Sequence, residues 1–251
     1  MINHRLSKTG LAACLVLLLA AVYSTLAFPQ NEKESLLKPF STATSLAPEW
    51  EELKFPNIDR LTRYTLVTEN GQQAVMASTD NSASGLIARI RVEPGEKLML
   101  RWRWKISSVY ENGNARRKSG DDYPARIYVA FEFEPDKAGF FERAKRQAAA
   151  LVFGQELPGN ALNYIWANQL DKGTLVANPF TDTTMMIAVE SGNDKAGQWL
   201  SAERDIVADY RRAFGAEPPA IVGVAIMSDS DNTGASARAW YGDVTLTREH
   251  R

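Results

Sequence analysis

The sequence predicts a mostly β protein, an antiparallel β-sandwich or jelly roll with two inserted helices at about residues 136–153 and 203–214. Three observations lead to this fold class. Apolar and polar residues alternate along most of the chain beyond residue 48, clusters of turn-forming residues separate the alternating runs, and two stretches carry apolar residues at helical spacing. Alternation with period two is typical of half-buried strands, and many short strands joined by turns are typical of sandwiches.

Nine runs show the alternation expected of strands. They lie at residues 64–68, 74–78, 85–92, 97–106, 126–133, 162–166, 184–189, 220–228 and 237–247. Turn-forming clusters at 69–71, 80–82 and 93–96 separate the first four runs, because Gly, Asn, Asp and Pro each favour a backbone conformation that reverses the chain. We therefore expect turns between these four runs.

The two predicted helices combine apolar residues three or four positions apart with a glycine after the last of them. The apolar residues are Phe141, Ala144, Ala148, Leu151 and Val152 in the first segment and Ile206, Val207, Tyr210 and Phe214 in the second. Gly154 and Gly215 stand where a residue with a left-handed conformation ends a helix. Both helices are predicted to be insertions on a β scaffold.

The first 27 residues have the pattern of an export signal. Residues 1–8 are basic, residues 11–22 are apolar without a charge, and small residues lead up to Ala27. Cleavage after Ala27 predicts a periplasmic or secreted protein with no membrane span in the mature chain. A retained anchor and lipidation at Cys14, within a lipobox-like sequence, are the alternatives.

Beyond the predicted signal, composition divides the chain into two parts. Residues 28–47 are polar and proline-containing and are predicted to be a linker, whereas residues 48–251 are predicted to form a single β-sandwich domain. The sequence has one Cys and two His, at positions 14, 4 and 250. Disulfides, Cys/His zinc sites and nucleophiles that need a neighbouring His are therefore excluded from the predicted domain. The net charge of −1 argues against a nucleic-acid partner.

The predicted strand 97–106 carries the most informative alternation. It places Trp102 and Trp104 on one face and Arg101 and Arg103, with Lys105, on the other. The apolar face is predicted to enter the core, because two tryptophans at this spacing bury a large area.

The predicted strand 126–133 and the residue after it offer carboxylates in the same way. Alternation directs Glu132 and Glu134 outward, so that they would oppose Arg101 and Arg103 if the two strands were neighbours. Three interpretations remain open for this face: a solvated ladder of ion pairs, a polar face that binds a sugar, and a carboxylate pair like those of jelly-roll glycosidases.

Two acidic loops provide the other candidate site residues. The candidate ligand-binding residues of these loops and of the strand that follows the first are Asp121, Asp122, Tyr123, Arg126, Asp229, Asp231 and Asn232. Oxygen ligands at alternate positions before a glycine are typical of hard-metal loops, which makes Asp229, Asp231 and Thr233 candidate Ca²⁺ ligands. A turn rich in Asp and Asn, whose side chains cap the backbone, is the alternative. No other cofactor is predicted.

Five blocks of the sequence resemble a bacterial family catalogued as domain of unknown function 3047. The blocks are residues 100–105, 119–126, 162–167, 203–210 and 227–234, and the resemblance extends from about Trp50 to Leu246. It implies an exported bacterial single-domain protein and carries over no established activity. Residues 79–106 and 241–246 are also similar in form to galactose-binding-type carbohydrate-binding jelly rolls, although fold does not fix function.

The predicted function is that of an exported β-sandwich protein that binds a glycan or a small envelope ligand. The aromatic residues considered for stacking on sugar rings are Tyr110, Tyr123, Trp166, Trp199 and Trp240. The alternatives are a carboxylate-dependent glycan hydrolase or lyase, and a structural or partner-binding envelope protein. Catalysis would require two carboxyl groups in one cleft at roughly 5 to 10 Å from each other.

Overall fold

The structure is a computed structural model that describes residues 34–137, 139 and 158–249. Within these residues the chain forms twelve strands, one α-helix and three short 3₁₀ turns. The elements are β1 (Glu51–Leu53), β2 (Arg63–Glu69), β3 (Gln72–Asp80), β4 (Ala83–Val92), β5 (Leu98–Ile106), β6 (Arg126–Phe131), β7 (Ala161–Ala167), β8 (Leu175–Asn178), β9 (Thr181–Ser191), β10 (Leu200–Asp205), α1 (Ile206–Phe214), β11 (Ile221–Asp229) and β12 (Ser236–Arg248).

The described strands form two sheets that pack face to face as a β-sandwich. The seven-stranded sheet has the order β1-β4-β11-β6-β7-β9-β8, and the five-stranded sheet has the order β10-β5-β12-β3-β2. Trp102 and Trp104 of β5 meet Tyr164 and Trp166 of β7 across the interior, with ring centroids 5.4 and 5.7 Å apart. The alternation in the sequence therefore predicted the buried face of β5 correctly.

One pair of strands departs from the predicted antiparallel arrangement. β7 and β9 are parallel, with Tyr164 opposite Ile187. The cause is β8, which lies at the sheet edge and pairs antiparallel with β9. After β7, the chain first forms β8 at the edge of the sheet and then reverses direction. The next strand, β9, lies between β8 and β7 and therefore runs in the same direction as β7.

The second predicted helix is confirmed with a later start. Residues 206–214 form α1, whose first turn is capped by the Asp205 side chain accepting from the N–H groups of Val207 and Ala208. Gly215 ends the helix with φ +67°, a conformation that glycine adopts without strain. Residues 203–205 belong to β10 instead, because they pair in register with β5.

The first predicted helix, at 136–153, lies almost entirely outside the described residues. At its predicted start, Pro135–Lys137 form a 3₁₀ turn. All nine predicted strands coincide with observed strands, and three observed strands were missed: β1, β8 and β10. These three are short or lack an apolar alternation, and each takes its place by pairing with a longer strand.

The segment predicted to be a linker is packed on the domain over its described part, residues 34–47. Phe40 is fully buried and contacts Trp50, with ring centroids 4.7 Å apart. The N–H of Leu36 donates to the carbonyl of Leu246 at 2.8 Å. These residues therefore extend the core of the sandwich. Among the described residues, no helix is both long and apolar enough to cross a membrane.

Candidate functional site

The charged face of β5 finds its partners on neighbouring strands of the five-stranded sheet. Arg101 lies opposite Glu203 of β10 and forms ion pairs with Glu203 and Glu249, while its Nη1 donates to Thr247 at 2.9 Å. Lys97 also contacts Glu249 at 2.8 Å. Hydrogen bonds from Arg101 and Lys97 lower the pKa of Glu249 to about 2. Arg101 is therefore part of a saturated surface network.

The predicted ladder between β5 and β6 does not form, because these strands belong to different sheets. Glu132 pairs instead with Arg91 of β4 at 3.0 Å, on the seven-stranded sheet. Both Glu132 and Glu134 follow the end of β6, and Glu134 is half-buried. The structure thus separates these two carboxylates from Arg101 and Arg103, because the two strands are not neighbours, which was the condition for one shared face.

A surface pocket of about 620 Å³ lies on the outer side of the five-stranded sheet. We call it the sheet pocket. Its lining residues are Ser41, Gln72, Arg101, Trp102, Arg103, Ser201, Ala202, Glu203, Asp243 and Thr245. Asp243 lies at a bulge of β12 and accepts from the N–H of Ser41 at 2.7 Å and from its hydroxyl at 2.6 Å. The packed N-terminal segment therefore completes one wall of the pocket.

Arg103 is the distinctive group of the sheet pocket. Its guanidinium carbon lies 4.6 Å from the ring centroid of Trp199. The backbone of Gly242 approaches it so closely that a Cβ at position 242 would overlap its Nε and Cγ atoms. Across the described part of the chain, no hydrogen bond or ion pair engages the Arg103 guanidinium. Arg103 is one of the residues that line the sheet pocket.

The ring of Trp199 is held by residues of the same sheet. Its indole N–H donates to Oε2 of Glu69 at 3.1 Å, and Lys105 forms an ion pair with the other oxygen of Glu69. The Lys105 ammonium lies 5.5 Å from the Trp199 ring centroid and 4.1 Å from that of Trp240. Both tryptophans are half-exposed, whereas Lys105, which contacts both rings and Glu69, is only 9% exposed.

The two acidic loops meet in space at the end of β11. The backbone N–H of Tyr123 donates to Oδ1 of Asp229 at 3.2 Å, and the backbone N–H of Asp229 donates to the carbonyl of Tyr123 at 3.2 Å. Asp122 accepts from the N–H groups of Asn232 and Thr233 at 3.3 and 2.6 Å, and from their side chains at 3.0 and 2.6 Å. We call Asp121, Asp122, Arg126, Asp229 and Asp231 the acidic cluster.

Arg126 is the cation of the acidic cluster. It forms an ion pair with Asp229 and lies 3.9 Å from Asp121. Its guanidinium carbon lies 5.2 Å from the ring centroid of Tyr123 and 5.5 Å from that of Tyr128. Only 3% of Arg126 and 1% of Asp229 is exposed. The pair is therefore sealed from solvent.

Burial shifts the ionisation of the cluster. It raises the pKa of Asp229, an increase that the Arg126 charge limits and that neighbouring carboxylates reinforce. It likewise raises the pKa values of Asp121 and Asp231. Burial opposes the charge of Arg126, but the surrounding carboxylates hold its pKa well above the ordinary value. The arginine thus stays charged and depends on these carboxylates for its counter-charge.

Asp122, Asp229 and Asp231 offer carboxylate oxygens within 4.8 Å of one another, as a metal site would. Their hydrogen bonds argue for a different use. Asp122 already accepts four donors, which fills the four lone-pair positions of a carboxylate. The Thr233 hydroxyl is one of these donors, and Asp229 is paired with Arg126. This arrangement is that of a turn whose backbone is capped by a side chain of the other acidic loop.

Some buried polar atoms near the cluster lack hydrogen-bond partners within the described residues. These atoms are Oδ1 of Asp121, Nε and Nη1 of Arg126, and both amide atoms of Asn163. Asn178 donates to the other oxygen of Asp121 at 2.7 Å. Buried groups of this kind are commonly satisfied by internal water. No sequence signal marked Asn163 or Asn178, since neither lies in an acidic loop.

The aromatic candidates divide in the same way as the charged ones. Tyr110, Tyr123 and Trp166 are at most 3% exposed and belong to the interior, so they offer no face to a sugar. Trp199 and Trp240 lie at the surface beside Arg103 and Lys105. Several residues that line the sheet pocket do not belong to β5. Ser41 lies in the N-terminal segment, Ser201 in the edge strand β10 and Asp243 at the bulge of β12, and no periodic pattern in the sequence marks them.

A model of the family described as a protein of unknown function, DUF3047, matches residues 48–245. The chain belongs to the DUF3047 family. Of the five sequence blocks that resemble the family, 100–105 lies in β5, 162–167 in β7, 203–210 in β10 and α1, and 227–234 starts in β11. The remaining block, 119–126, contains Asp121, Asp122 and Arg126. No curated protein matches the sequence.

Solved structures with similar arrangements share little sequence with this DUF3047 chain. The enzymatically active domain of tailspike protein 4 of bacteriophage CBA120 is 9% identical with a TM-score of 0.39, over 80% of this chain and 19% of that one. Cellulose induced protein Cip1 is 7% identical with a TM-score of 0.37, over 84% and 95%. A family 29 carbohydrate-binding module, CBM29-2, is 9% identical with a TM-score of 0.33, over 86% and 91%.

The chain spans less than a third of the length of three similar solved structures. It covers 19% of the tailspike domain, 26% of an α-L-arabinofuranosidase and 28% of a xylanase with an attached binding module.

Proposed function

We propose that this protein binds a glycan in the sheet pocket. The observation that carries the proposal is Arg103, a half-buried arginine that is held against Trp199 and Gly242 and has no hydrogen-bond or ion-pair partner among the described residues. A planar guanidinium with free N–H groups is suited to pairs of oxygen acceptors. Its place in an accessible pocket supports a ligand as the missing partner.

The other lining groups match the chemistry of sugar hydroxyls, which donate and accept hydrogen bonds. Arg103 supplies donors, Asp243 and Glu203 supply acceptors, and the hydroxyls of Ser201 and Thr245 do both. The volume of about 620 Å³ lies within the range of pockets that hold small organic ligands. A short stretch of sugar rings is therefore an occupant of suitable size and polarity.

The decisive experiment compares Arg103→Ala with the wild-type protein against a panel of envelope and plant polysaccharides. We expect the wild type to bind at least one oligosaccharide, and Arg103→Ala to raise its Kd at least about tenfold, because hydrogen bonds from a charged donor are lost. Arg91→Ala is the matched control, since Arg91 is an exposed arginine on the other sheet. Calorimetric titration measures both. Absence of wild-type binding across the panel would count against the proposal.

We further propose that this binding takes place outside the cytoplasm, in the periplasm or medium, with residues 1–27 acting as a cleaved signal and residues 48–251 as one domain. The support is the basic, apolar and small-residue order before Phe28. Mass spectrometry of the exported protein tests it, and an N-terminus at Phe28 is the expected result. A lipid on Cys14 or an intact Met1 would contradict cleavage at this site.

A further inference from the structure

Arg103 is restrained on two sides without donating a hydrogen bond to the described residues. The Trp199 ring lies on one side, and the Gly242 backbone lies against Nε and Cγ. Ordering a long side chain costs conformational entropy, which a protein usually offsets with a contact to that side chain's polar end. Here the polar end is left open to the sheet pocket. Such an arrangement prepares a group for a ligand before the ligand arrives.

The Trp199 ring itself depends on a residue outside the pocket lining. Trp199 belongs to the segment between β9 and β10, and no strand pairing of its own fixes it. Glu69, at the end of the edge strand β2, accepts its indole N–H at 3.1 Å. Lys105 binds the other oxygen of Glu69, which fixes the carboxylate in turn. The orientation of the ring thus follows from the Glu69 carboxylate.

We infer that Glu69 is a positioning residue for the sheet pocket: it fixes the ring of Trp199, which together with Gly242 holds Arg103 in the orientation that binds the ligand. This inference rests on the proposed glycan binding. Glu69 does not line the pocket and touches no ligand there; it acts through the bond to the indole nitrogen. A Cβ at position 242 would overlap Nε and Cγ of Arg103 and would therefore displace this side chain from its present position.

The binding experiment uses the full chain and the oligosaccharide that the wild type binds most tightly in the panel. We expect Glu69→Ala and Trp199→Phe each to raise its Kd about threefold to tenfold, because each removes the single indole hydrogen bond. Glu69→Gln keeps an acceptor and should retain most of the affinity. The double variant, which combines Glu69→Ala with Trp199→Phe, should bind no more weakly than the weaker single variant, since both changes act on one bond. Glu69→Ala also leaves Lys105 without its ion-pair partner, which could impair folding, whereas Trp199→Phe keeps the Glu69–Lys105 pair. A weaker Kd in Trp199→Phe therefore does not result from an unpaired lysine.

Glu51→Ala is the matched control. Glu51 is an exposed glutamate whose ion pair with Arg89 lies on the seven-stranded sheet, and its replacement should leave the Kd unchanged. Gly242→Ala tests the other side of Arg103 and should raise the Kd at least as much as Glu69→Ala, with the charge of the pocket unaltered.

A second readout does not need a ligand. The chain has six tryptophans, and the ¹⁵N–¹H indole signal of Trp199 is the one that Trp199→Phe removes. We expect this signal to move in Glu69→Ala and to return most of the way in Glu69→Gln. An unmoved signal overturns the inference, and so does a moved signal with an unchanged Kd, while glycan binding stands in both cases. Absence of wild-type binding overturns the proposed function itself.

Discussion

Arg126 and Arg103 both lie against aromatic rings, one on each sheet of the sandwich, and their surroundings differ. Arg126 is 3% exposed, sits between two tyrosine rings and is paired with Asp229. Arg103 is half-exposed and rests on one tryptophan ring without a polar partner among the described residues. The first arrangement satisfies a charge inside the protein, and the second leaves a charge available at the surface.

This difference is the basis for the structural role that we expect of the acidic cluster and for the binding role that we propose for Arg103. A buried charge is costly unless it is paired, so the acidic cluster stabilises the fold by meeting that requirement. A surface charge with no partner contributes little to stability and retains its capacity for a ligand. Changes in the acidic cluster should therefore alter stability, whereas changes around Arg103 should alter affinity.

The largest effect is expected from Asp229→Ala. This change leaves the buried guanidinium of Arg126 without its directly contacting carboxylate, and we expect it to lower the free energy of unfolding by about 3–5 kcal/mol. Urea denaturation measures the loss. The matched control is Glu132→Ala, which breaks the exposed pair with Arg91 and should cost under about 1 kcal/mol. Equal losses in the two variants would remove the distinction between the buried and exposed charges.

Asp122→Ala is expected to have the next largest effect, about 2–3 kcal/mol, because four donors of the loop at Asn232 and Thr233 lose their acceptor. Urea denaturation again measures it. Asp122→Asn should lose less, since it keeps one acceptor oxygen. If addition of Ca²⁺ stabilised the wild type and not Asp122→Ala, the cluster would be a metal site and the capped-turn interpretation would be wrong.

The sequence alone predicted the features of these regions that depend on neighbouring residues, but not those that depend on residues far apart in the chain. Alternation located β5 and its buried tryptophans, because side-chain direction in a strand depends only on local geometry. It did not show that β5 and β6 lie in different sheets, since strand order depends on contacts between distant residues. For this reason the sequence left open whether Glu132 and Glu134 oppose Arg101 and Arg103, whereas the structure has both glutamates after β6, in the other sheet.

The acidic loops also show features that the sequence could not predict. Their composition drew attention to Asp121, Asp122, Asp229 and Asp231, but composition does not report burial. Only the structure shows that the first three are enclosed and that Asp122 caps the opposite loop. No sequence signal marked Gly242 or Glu69 as part of a site, because their importance comes from contacts with Arg103 and Trp199.

The acidic cluster should also show itself in the pH dependence of stability, through Asp121→Asn. Burial raises the pKa of Asp121 above its ordinary value of 3.8, so the folded state holds that proton more tightly than the unfolded state. Its contribution to stability is therefore present below that value and is lost as the pH rises. We expect the wild type to lose stability relative to Asp121→Asn as the pH rises above about 4. A constant difference between the two proteins would contradict this.

Arg103→Ala is expected to change the free energy of unfolding by less than about 1 kcal/mol, because the side chain has no polar partner in the described structure and keeps only its contact with Trp199. Thermal and urea denaturation measure this change. A loss as large as that of Asp229→Ala would show that Arg103 is a structural residue, and the contrast between the two arginines would fail.

The smallest effect, and one of opposite sign to that of Asp121, is expected from Glu249→Gln. Arg101 and Lys97 lower the pKa of Glu249 from 4.5 to about 2, so the folded state binds this proton less tightly than the unfolded state. The contribution of Glu249 is therefore present above pH 4.5 and is lost as the pH falls toward 2. Urea denaturation should show a wild-type advantage over Glu249→Gln near neutral pH that disappears in acid. Because Glu249 is solvent-accessible, salt should also weaken this advantage, whereas the buried pair of Arg126 and Asp229 should resist salt. An advantage that grew on acidification would place Glu249 in the same class as Asp121 and would show that the surface network behaves like the buried cluster.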